Sequence, residues 1–236
     1  MTNYYEIIPA IIPDSFEDMR SKVSLVKKFT EWVHIDVIDG IFISAVSWPY
    51  KPEDLVLFYK RVEQKQLLPF LDKTNYEIDL MVDNPEEEIS KWFALGARRF
   101  IIHIESIKNL DVLEQIILQY SKKIVSEIGI ALGLETPVKI IEPIINEIDY
   151  IQLMGIVHIG YQGEQFNERV IDKIKDLRKM SKSIIISLDG GVSLKTIPRL
   201  VAAGAIRLVS GSAVFDGVGA KDNKKIEQNI KKLKSF

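Results

Sequence analysis

Within WVHIDVIDG, residues 32–40, a histidine and an aspartate stand two positions apart in an otherwise apolar run. On an extended strand, positions i and i+2 face the same side, so His34 and Asp36 project together. An imidazole beside a carboxylate can bind a metal ion, move a proton, or form a core ion pair. Burying such groups is costly unless they are paired or metal-bound. For one isolated HxD the ion pair is the plainer account, so the other strands have to decide. Asp79 lies in YEIDLMV, His103 and Glu105 in RFIIHIE, and Asp189 in SIIISLD, each near the C-terminal end of its apolar run. Imidazole and carboxylate groups converging from four strands are the expected form of a metal or acid/base site. Nitrogen and oxygen donors without sulfur suit one divalent cation such as Zn, Mn, Fe or Mg.

These residues must be positioned by a repeating framework. Eight short, β-branched apolar runs begin near residues 5, 32, 76, 99, 127, 150, 183 and 206. Most are near-continuously apolar, as expected of parallel strands covered on both faces. Between them lie segments of helical spacing, among them PEEEISKWFALGA, NLDVLEQIILQYSKK, NERVIDKIKDLRKMS and SLKTIPRLVAAGA. Proline and acidic residues open several, and glycine closes two, as helix start and stop chemistry requires. The strand spacing is 23 to 33 residues, with one gap of 44. Eight β-α units of this size predict a single (β/α)8 barrel; a doubly wound open sheet would rarely need eight near-equal units. No linker or low-complexity segment divides residues 1–236, so one domain is expected. Two connections are long: ISAVSWPYKPEDLVLFYKRVEQKQ after the second strand and VHIGYQGEQFNE after the sixth. Both follow strand C-termini, where barrel sites are built, which makes them candidate substrate-covering loops.

Asp189 is followed by Gly190 and Gly191, the eighth strand ends in Gly211 and Ser212, and the loop after the sixth carries Gly160 and Gly163. Glycine-rich turns present backbone N–H groups to an anion, and barrels usually hold phosphate after strands seven and eight. Each signal is weak alone, because glycine also makes tight turns. Together they point to a small phosphorylated molecule whose far end lies over the carboxylates.

Composition narrows the field. Lys+Arg 31 against Asp+Glu 33 leaves a net charge of -2, which does not mark a nucleic-acid binder. The basic stretch KDNKKIEQNIKKLKS reads as the solvated face of a terminal helix. Cysteine is absent, which removes disulfides and thiolate chemistry. The N-terminal residues do not form a signal peptide, and no apolar run approaches the roughly 18 residues of a membrane span. A cytoplasmic protein without nucleic-acid or membrane partners is expected. A homo-oligomer is compatible with the chain, although no interface is legible in it.

The same residues resemble the ribulose-phosphate 3-epimerases of the ribulose-phosphate-binding barrel group, over nearly the whole chain and in order. WVHIDVIDGIF resembles that family's HxDxMDGxF, DLMVDNPEEEISKWFALGA its HLMVxxPexxi…aGA, RFIIHIES its fHxEa, and IGIALGLETP its iGlAlnPxTp. YIQLMGIVHIGYQGEQF resembles the segment ending MSVxPGFGGQxF, while SLDGGV and VAAGAIRLVSGSAVF resemble VDGGI and aGAdxxVaGSaiF. The resemblance implies epimerisation at C3 of a ketose phosphate by proton transfer between two aspartates on opposite faces of the sugar. It implies Asp36 and Asp189 as the acid/base pair, with His34, Asp36, Asp79 and Asp189 around one divalent metal ion. Gly160, Gly163, Gly190, Gly191, Gly211 and Ser212 match the phosphate-binding positions, and Met81 and Met154 the substrate-covering methionines. His103 matches a family histidine outside the metal set and is expected in the core behind it. Glu105 is expected to pair with charged groups at the barrel mouth, Asp39 to shape a turn, and His158 to lie on a surface loop.

The departures are specific. Asp79 stands where the family has its second metal histidine, which adds negative charge and favours a harder cation such as Mn or Mg over Zn. Ala10 replaces the serine of PSIL, Ile38 replaces a methionine, SAVS replaces PNxT, and IGYQGEQ replaces PGFGGQ with one extra residue. Because several of these positions touch substrate in the family, a different pentulose or hexulose phosphate is one alternative. A catalytically lapsed phosphosugar-binding barrel is another. A decarboxylase of the same barrel group is disfavoured, since its DxKxxD array reads DLMVD here and lacks the lysine.

Overall fold

The computed structural model describes residues 4–120, 126–219 and 222–236. Eight parallel strands close into a barrel: β1 (Glu6–Ile11), β2 (Trp32–Ile38), β3 (Asn75–Met81), β4 (Arg99–His103), β5 (Glu127–Leu132), β6 (Tyr150–Met154), β7 (Ile185–Asp189) and β8 (Arg207–Ser210). Each strand pairs with the next in sequence, and β8 closes on β1 with Pro9 opposite Ser210. All eight expected runs are strands, and the (β/α)8 architecture is the one the spacing predicts.

Helices cover the outside: α1 (Phe16–Val26), α2 (Pro52–Glu63), α3 (Pro85–Ala94), α4 (Leu110–Tyr120), α5 (Arg169–Met180), α6 (Ile197–Ala203), α7 (Ser212–Phe215) and α8 (Asn223–Leu233). Their ends follow the sequence chemistry. Ser15 caps α1 by accepting from the Asp18 N–H at 3.1 Å. Pro85 opens α3 with three glutamates in its first turn, and α6 stops at Gly204, whose φ of 115° is left-handed. The expected helix over NLDVLEQIILQYSKK is seen from Leu110 to Tyr120, its last residues lying outside the described ones. Between β5 and β6 the crossover is a 3₁₀ segment, Val138–Ile144, because Pro143 removes the N–H that an α-helix would use there.

The main hydrophobic core lies between the barrel's outer face and the helices. Ile35, Ile78, Phe100, Ile130 and Leu188 of the strands meet Met19, Trp92, Leu113 and Leu177 of the helices in one buried cluster. The long β2–α2 connection is anchored in it by Trp48, whose ring packs edge-on against Trp92 at 5.6 Å and Phe58 at 5.7 Å.

The barrel interior is different. Its apolar groups are two small clusters, one around Ile8, Ala10 and Val209 and one around Ile101, Ala131 and Tyr150. Much of the remaining interior is polar, with Ile38, Met81 and Met154 the buried apolar residues on the same strand faces near its upper end. At the bottom, Arg99 Nε donates to Glu127 Oε2 at 3.0 Å, and Arg207 Nη2 donates to the same oxygen at 2.8 Å. The Arg99 guanidinium also lies 3.5 Å from the centre of the Trp32 ring. Branched aliphatic residues usually fill such barrels in layers. Here charged side chains do so, and each needs a partner.

Gly129 makes room within this interior. It sits opposite Tyr150 in register, and a Cβ at residue 129 would overlap the end of the Tyr150 ring. Gly129→Ala is therefore expected to destabilise the protein by about 1–3 kcal/mol through overpacking, measured by urea unfolding. Adding Tyr150→Leu should recover part of the loss. Strictly additive effects of the two substitutions would contradict the contact.

Candidate active site

Strand register brings the chemistry together at the C-terminal end of the barrel. Asp36 of β2 stands directly opposite Asp79 of β3, and Asp189 of β7 opposite Met154 of β6. One ligand atom from each of His34, Asp36, Asp79 and Asp189 lies within 4.8 Å of the others. His34 is the hinge of the group. Its Nε2 is 3.1 Å from Asp36 Oδ1 and 3.5 Å from Asp79 Oδ2, and its Nδ1 is 2.7 Å from Glu77 Oε1. A carboxylate can only accept there, so Nδ1 carries a proton that it donates to Glu77. That bond orients the ring with Nε2 toward the aspartates.

Asp79 is held from two further sides. His103 Nε2 lies 3.0 Å from Asp79 Oδ1, and Gln152 Nε2 donates to Oδ2 at 2.8 Å. All of these side chains are fully buried, apart from a slight exposure of Asp36. The environments push the groups apart. Burial alone would raise the Asp79 carboxyl, but His103 and His34 outweigh it and hold the group far below the usual carboxylate range. Burial also opposes the lowering of Glu77, which His34 and then Arg99 bring about. Asp189 has no such partner. Burial first, and then the charge of Asp36, push it up to about 7. Asp36 is also raised by burial, against the pull of His34. Burial lowers both imidazoles, yet Asp36 raises His34 well above its ordinary value and Asp79 raises His103.

A cavity opens directly above. Of the four clustered residues, only Asp36 and Asp189 line it; His34 and Asp79 lie beneath. Gly160, Gly163, Gly190, Gly191, Gly211 and Ser212 line it as well, and so does Met81. Gly190 and Gly191 adopt φ of 90° and 70°, a left-handed pair that few other residues could follow. The N–H groups of Gly191, Val192 and Gly211 donate no hydrogen bond among the described residues. The loops after β2 and β6 meet over the mouth. The Ile43 side chain packs where a Cβ on Gly160 would be, and Phe42 lies 5.3 Å from the His103 ring.

Other residues depart from expectation or add to it. Met154 does not line the cavity; it is buried, with Gln152 Nε2 3.9 Å from its sulfur. Glu105 does not pair chiefly with charge. Its Oε1 accepts from the Gly133 N–H and the Thr136 hydroxyl, and His103 Nδ1 is 3.9 Å from its other oxygen. Asp39 shapes the turn after β2, accepting from the N–H groups of Ile41, Phe42 and Asp83. His158 is exposed on its loop and faces Glu164. Sequence reasoning missed Glu77 and Gln152. Glu77 was within reach, since it stands two residues before Asp79 and must share its face.

The donor set fits a divalent cation. Ligands of an octahedral ion with bonds of about 2.1 Å span up to about 4.2 Å, so a small contraction of the cluster suffices. Three buried carboxylates, Asp36, Glu77 and Asp79, with the partly exposed Asp189, outnumber the two imidazoles and leave negative charge that such an ion would offset.

The comparisons with known proteins agree with this geometry. The sequence profile described as the ribulose-phosphate 3 epimerase family matches residues 6–215. Ribulose-phosphate 3-epimerase of Bacillus subtilis (strain 168) is 30% identical over 232 residues, 96% of this chain and 98% of that protein. The enzyme of that name from Aquifex aeolicus (strain VF5) is 31% identical over 208 residues, 86% of this chain and 83% of the other. Among solved structures, a mutant tryptophan synthase alpha-subunit from Pyrococcus furiosus superposes with a TM-score of 0.66 at 13% identity, covering 98% of this chain and 97% of that one. A 3-hexulose-6-phosphate synthase gives 0.64 at 15% identity, covering 97% and 98%. These structural likenesses speak for the barrel alone. The profile and the curated relatives carry the assignment: the chain belongs to the ribulose-phosphate 3-epimerase family, isomerases acting on carbohydrate phosphates.

Proposed function

We propose that this protein inverts C3 of a ketose phosphate, with ribulose 5-phosphate as the first substrate to test, by proton transfer between Asp36 and Asp189. The observation that carries the reading is that these two aspartates, alone of the clustered four, line the cavity beside the glycine-rich end. The relatives named for this reaction support the substrate class.

In one direction Asp36, as carboxylate, removes the C3 proton, and the bonding electrons move into the adjacent carbonyl to give an enediolate. Asp189, which burial and the charge of Asp36 push up to about 7 in the metal-free protein, delivers a proton to the opposite face of C3. The carbonyl re-forms, and the reverse reaction exchanges the two roles. Asp79 stays ionised and out of the proton traffic, because His103 and Gln152 occupy its oxygens. The glycine-rich end, with Gly190, Gly191, Gly211 and Ser212, receives the phosphate, and Gly160 and Gly163 close over it. His34, Asp36, Asp79 and Asp189 would hold one divalent ion, which supplies Lewis-acid stabilisation for negative charge developing on the sugar oxygens. One imidazole and three carboxylates favour Mn or Mg over Zn there.

Three measurements test these statements. In D2O with added Mn or Mg, ribulose 5-phosphate or a hexulose 6-phosphate should gain deuterium at C3 together with epimer formation. Asp36→Asn and Asp189→Asn should each lower that rate about 10³-fold or more; full activity in either variant, or sugar binding without exchange for every sugar and metal, would refute the mechanism. Metal analysis of protein purified without added metal should show no stoichiometric zinc. Calorimetric titration of the chelator-treated protein with Mn should give one site, weakened about 10- to 100-fold in Glu77→Gln, because His34 loses the carboxylate that orients it.

A further inference from the structure

The cavity that receives an anion in the reading above holds no cationic side chain: among the described residues lining it there is neither lysine nor arginine, and the charged ones, Asp36, Asp189 and Glu164, are all acids. A phosphate there must be recognised by neutral donors. Backbone N–H groups supply some of them. Of the side chains, the Ser210 hydroxyl already donates to the Val192 carbonyl at 3.3 Å. One lining side chain carries N–H donors, and it is Gln162.

Gln162 lies on the loop after β6, where the family pattern PGFGGQ reads IGYQGEQ. Its carboxamide reaches across the mouth, and Nε2 donates to the carbonyl of Ala10 at the end of β1 at 3.3 Å. The amide rests on Gly211, so closely that a Cβ there would lie 2.5 Å from Nε2. It thus sits over the glycine-rich end, on a long hydrogen bond that is readily exchanged. The free space left in the cavity is about 40 Å³, far below the roughly 300–1,000 Å³ of ordinary ligand pockets. A ligand that enters must displace whatever crosses the mouth.

We propose that Gln162 is a phosphate-recognising side chain: its amide donates to Ala10 in the free protein and passes that donor to a phosphate oxygen when the ligand binds. The inference rests on the phosphate reading of the glycine-rich end. It adds that a neutral, displaceable amide supplies selectivity for an acceptor-rich anion where no cation is present. Carboxamide N–H groups bound to a charged acceptor contribute more than neutral pairs, so their loss should be visible in affinity.

The test titrates inorganic phosphate into the full-length wild-type protein and into Gln162→Ala, Gln162→Glu and Gln162→Lys, with calorimetric detection. Relative to wild type, Gln162→Ala should weaken phosphate binding about tenfold. Gln162→Glu should weaken it further, because it accepts and repels, and Gln162→Lys should strengthen it. Mn affinity and melting temperature should be unchanged in all three, which separates recognition from loop support. Equal phosphate affinity in wild type and Gln162→Ala, or an order that does not follow donor and charge, overturns the role of Gln162 while leaving the phosphate site intact. A wild-type protein with no phosphate affinity overturns the phosphate site itself, and this proposal with it.

Discussion

The hydrogen bond between His34 Nδ1 and Glu77 Oε1, 2.7 Å long and wholly buried, joins the two halves of the barrel interior. Below it, Glu77 belongs to a floor of Arg99, Glu127 and Arg207; above it, His34 faces Asp36 and Asp79. His34, Glu77 and Asp79 are wholly buried and Arg99 and Arg207 nearly so, so each of these charges depends on the next. Removing one partner from a buried pair strands the other, at a cost of about 3–5 kcal/mol. The polar interior therefore behaves as one network whose upper end is the candidate site. What orients the imidazole beneath the cavity is ultimately a salt-bridged floor at the opposite end.

The same network sorts the carboxylates. Asp79 meets His103, Gln152 and His34 and is held anionic, while Asp189 meets mainly burial and a like charge and is lifted toward neutrality. Two aspartates of equal intrinsic acidity thus acquire different protonation states without any special residue type. The substitution that sets this chain apart from the family pattern, aspartate for histidine at 79, sits where two donors already face it. His103 and Gln152 offset the charge that the exchange adds, and this accommodates a third carboxylate beside Asp36 and Asp189.

Much of this was legible in the residues. Near-continuous apolar runs at regular spacing are the mark of parallel strands buried on both faces, and all eight were found. The two-residue repeat placed His34 beside Asp36, and Asp39 on the turn. The floor was not legible, for a physical reason. Arg99 and Glu127 open their strands, where charged residues normally mark the solvated end, and only closure of the barrel turns them inward to pair. Gln152 was hidden in YIQLM, since its importance comes from Asp79, 73 residues away. Local pattern reports which face a side chain takes; it does not report what waits on that face.

The differences from the family pattern are not scattered over the fold. Apart from Asp79 and the buried Ile38, they fall at Ala10, SAVS and IGYQGEQ, on the strand ends and loops around the mouth. In the structure these segments touch one another: Ile43 packs on Gly160, and Gln162 reaches Ala10 and Gly211. A change in one loop therefore alters the space left to the others, so the rim varies as a unit while the strands beneath keep Asp36 and Asp189. Barrels separate stability from specificity in this way, with chemistry fixed at strand ends and recognition carried by the loops above. At this rim the β1 position of the family's serine is Ala10, and the carboxamide of Gln162 reaches across from the β6 loop to its carbonyl, so the two departures meet at one contact.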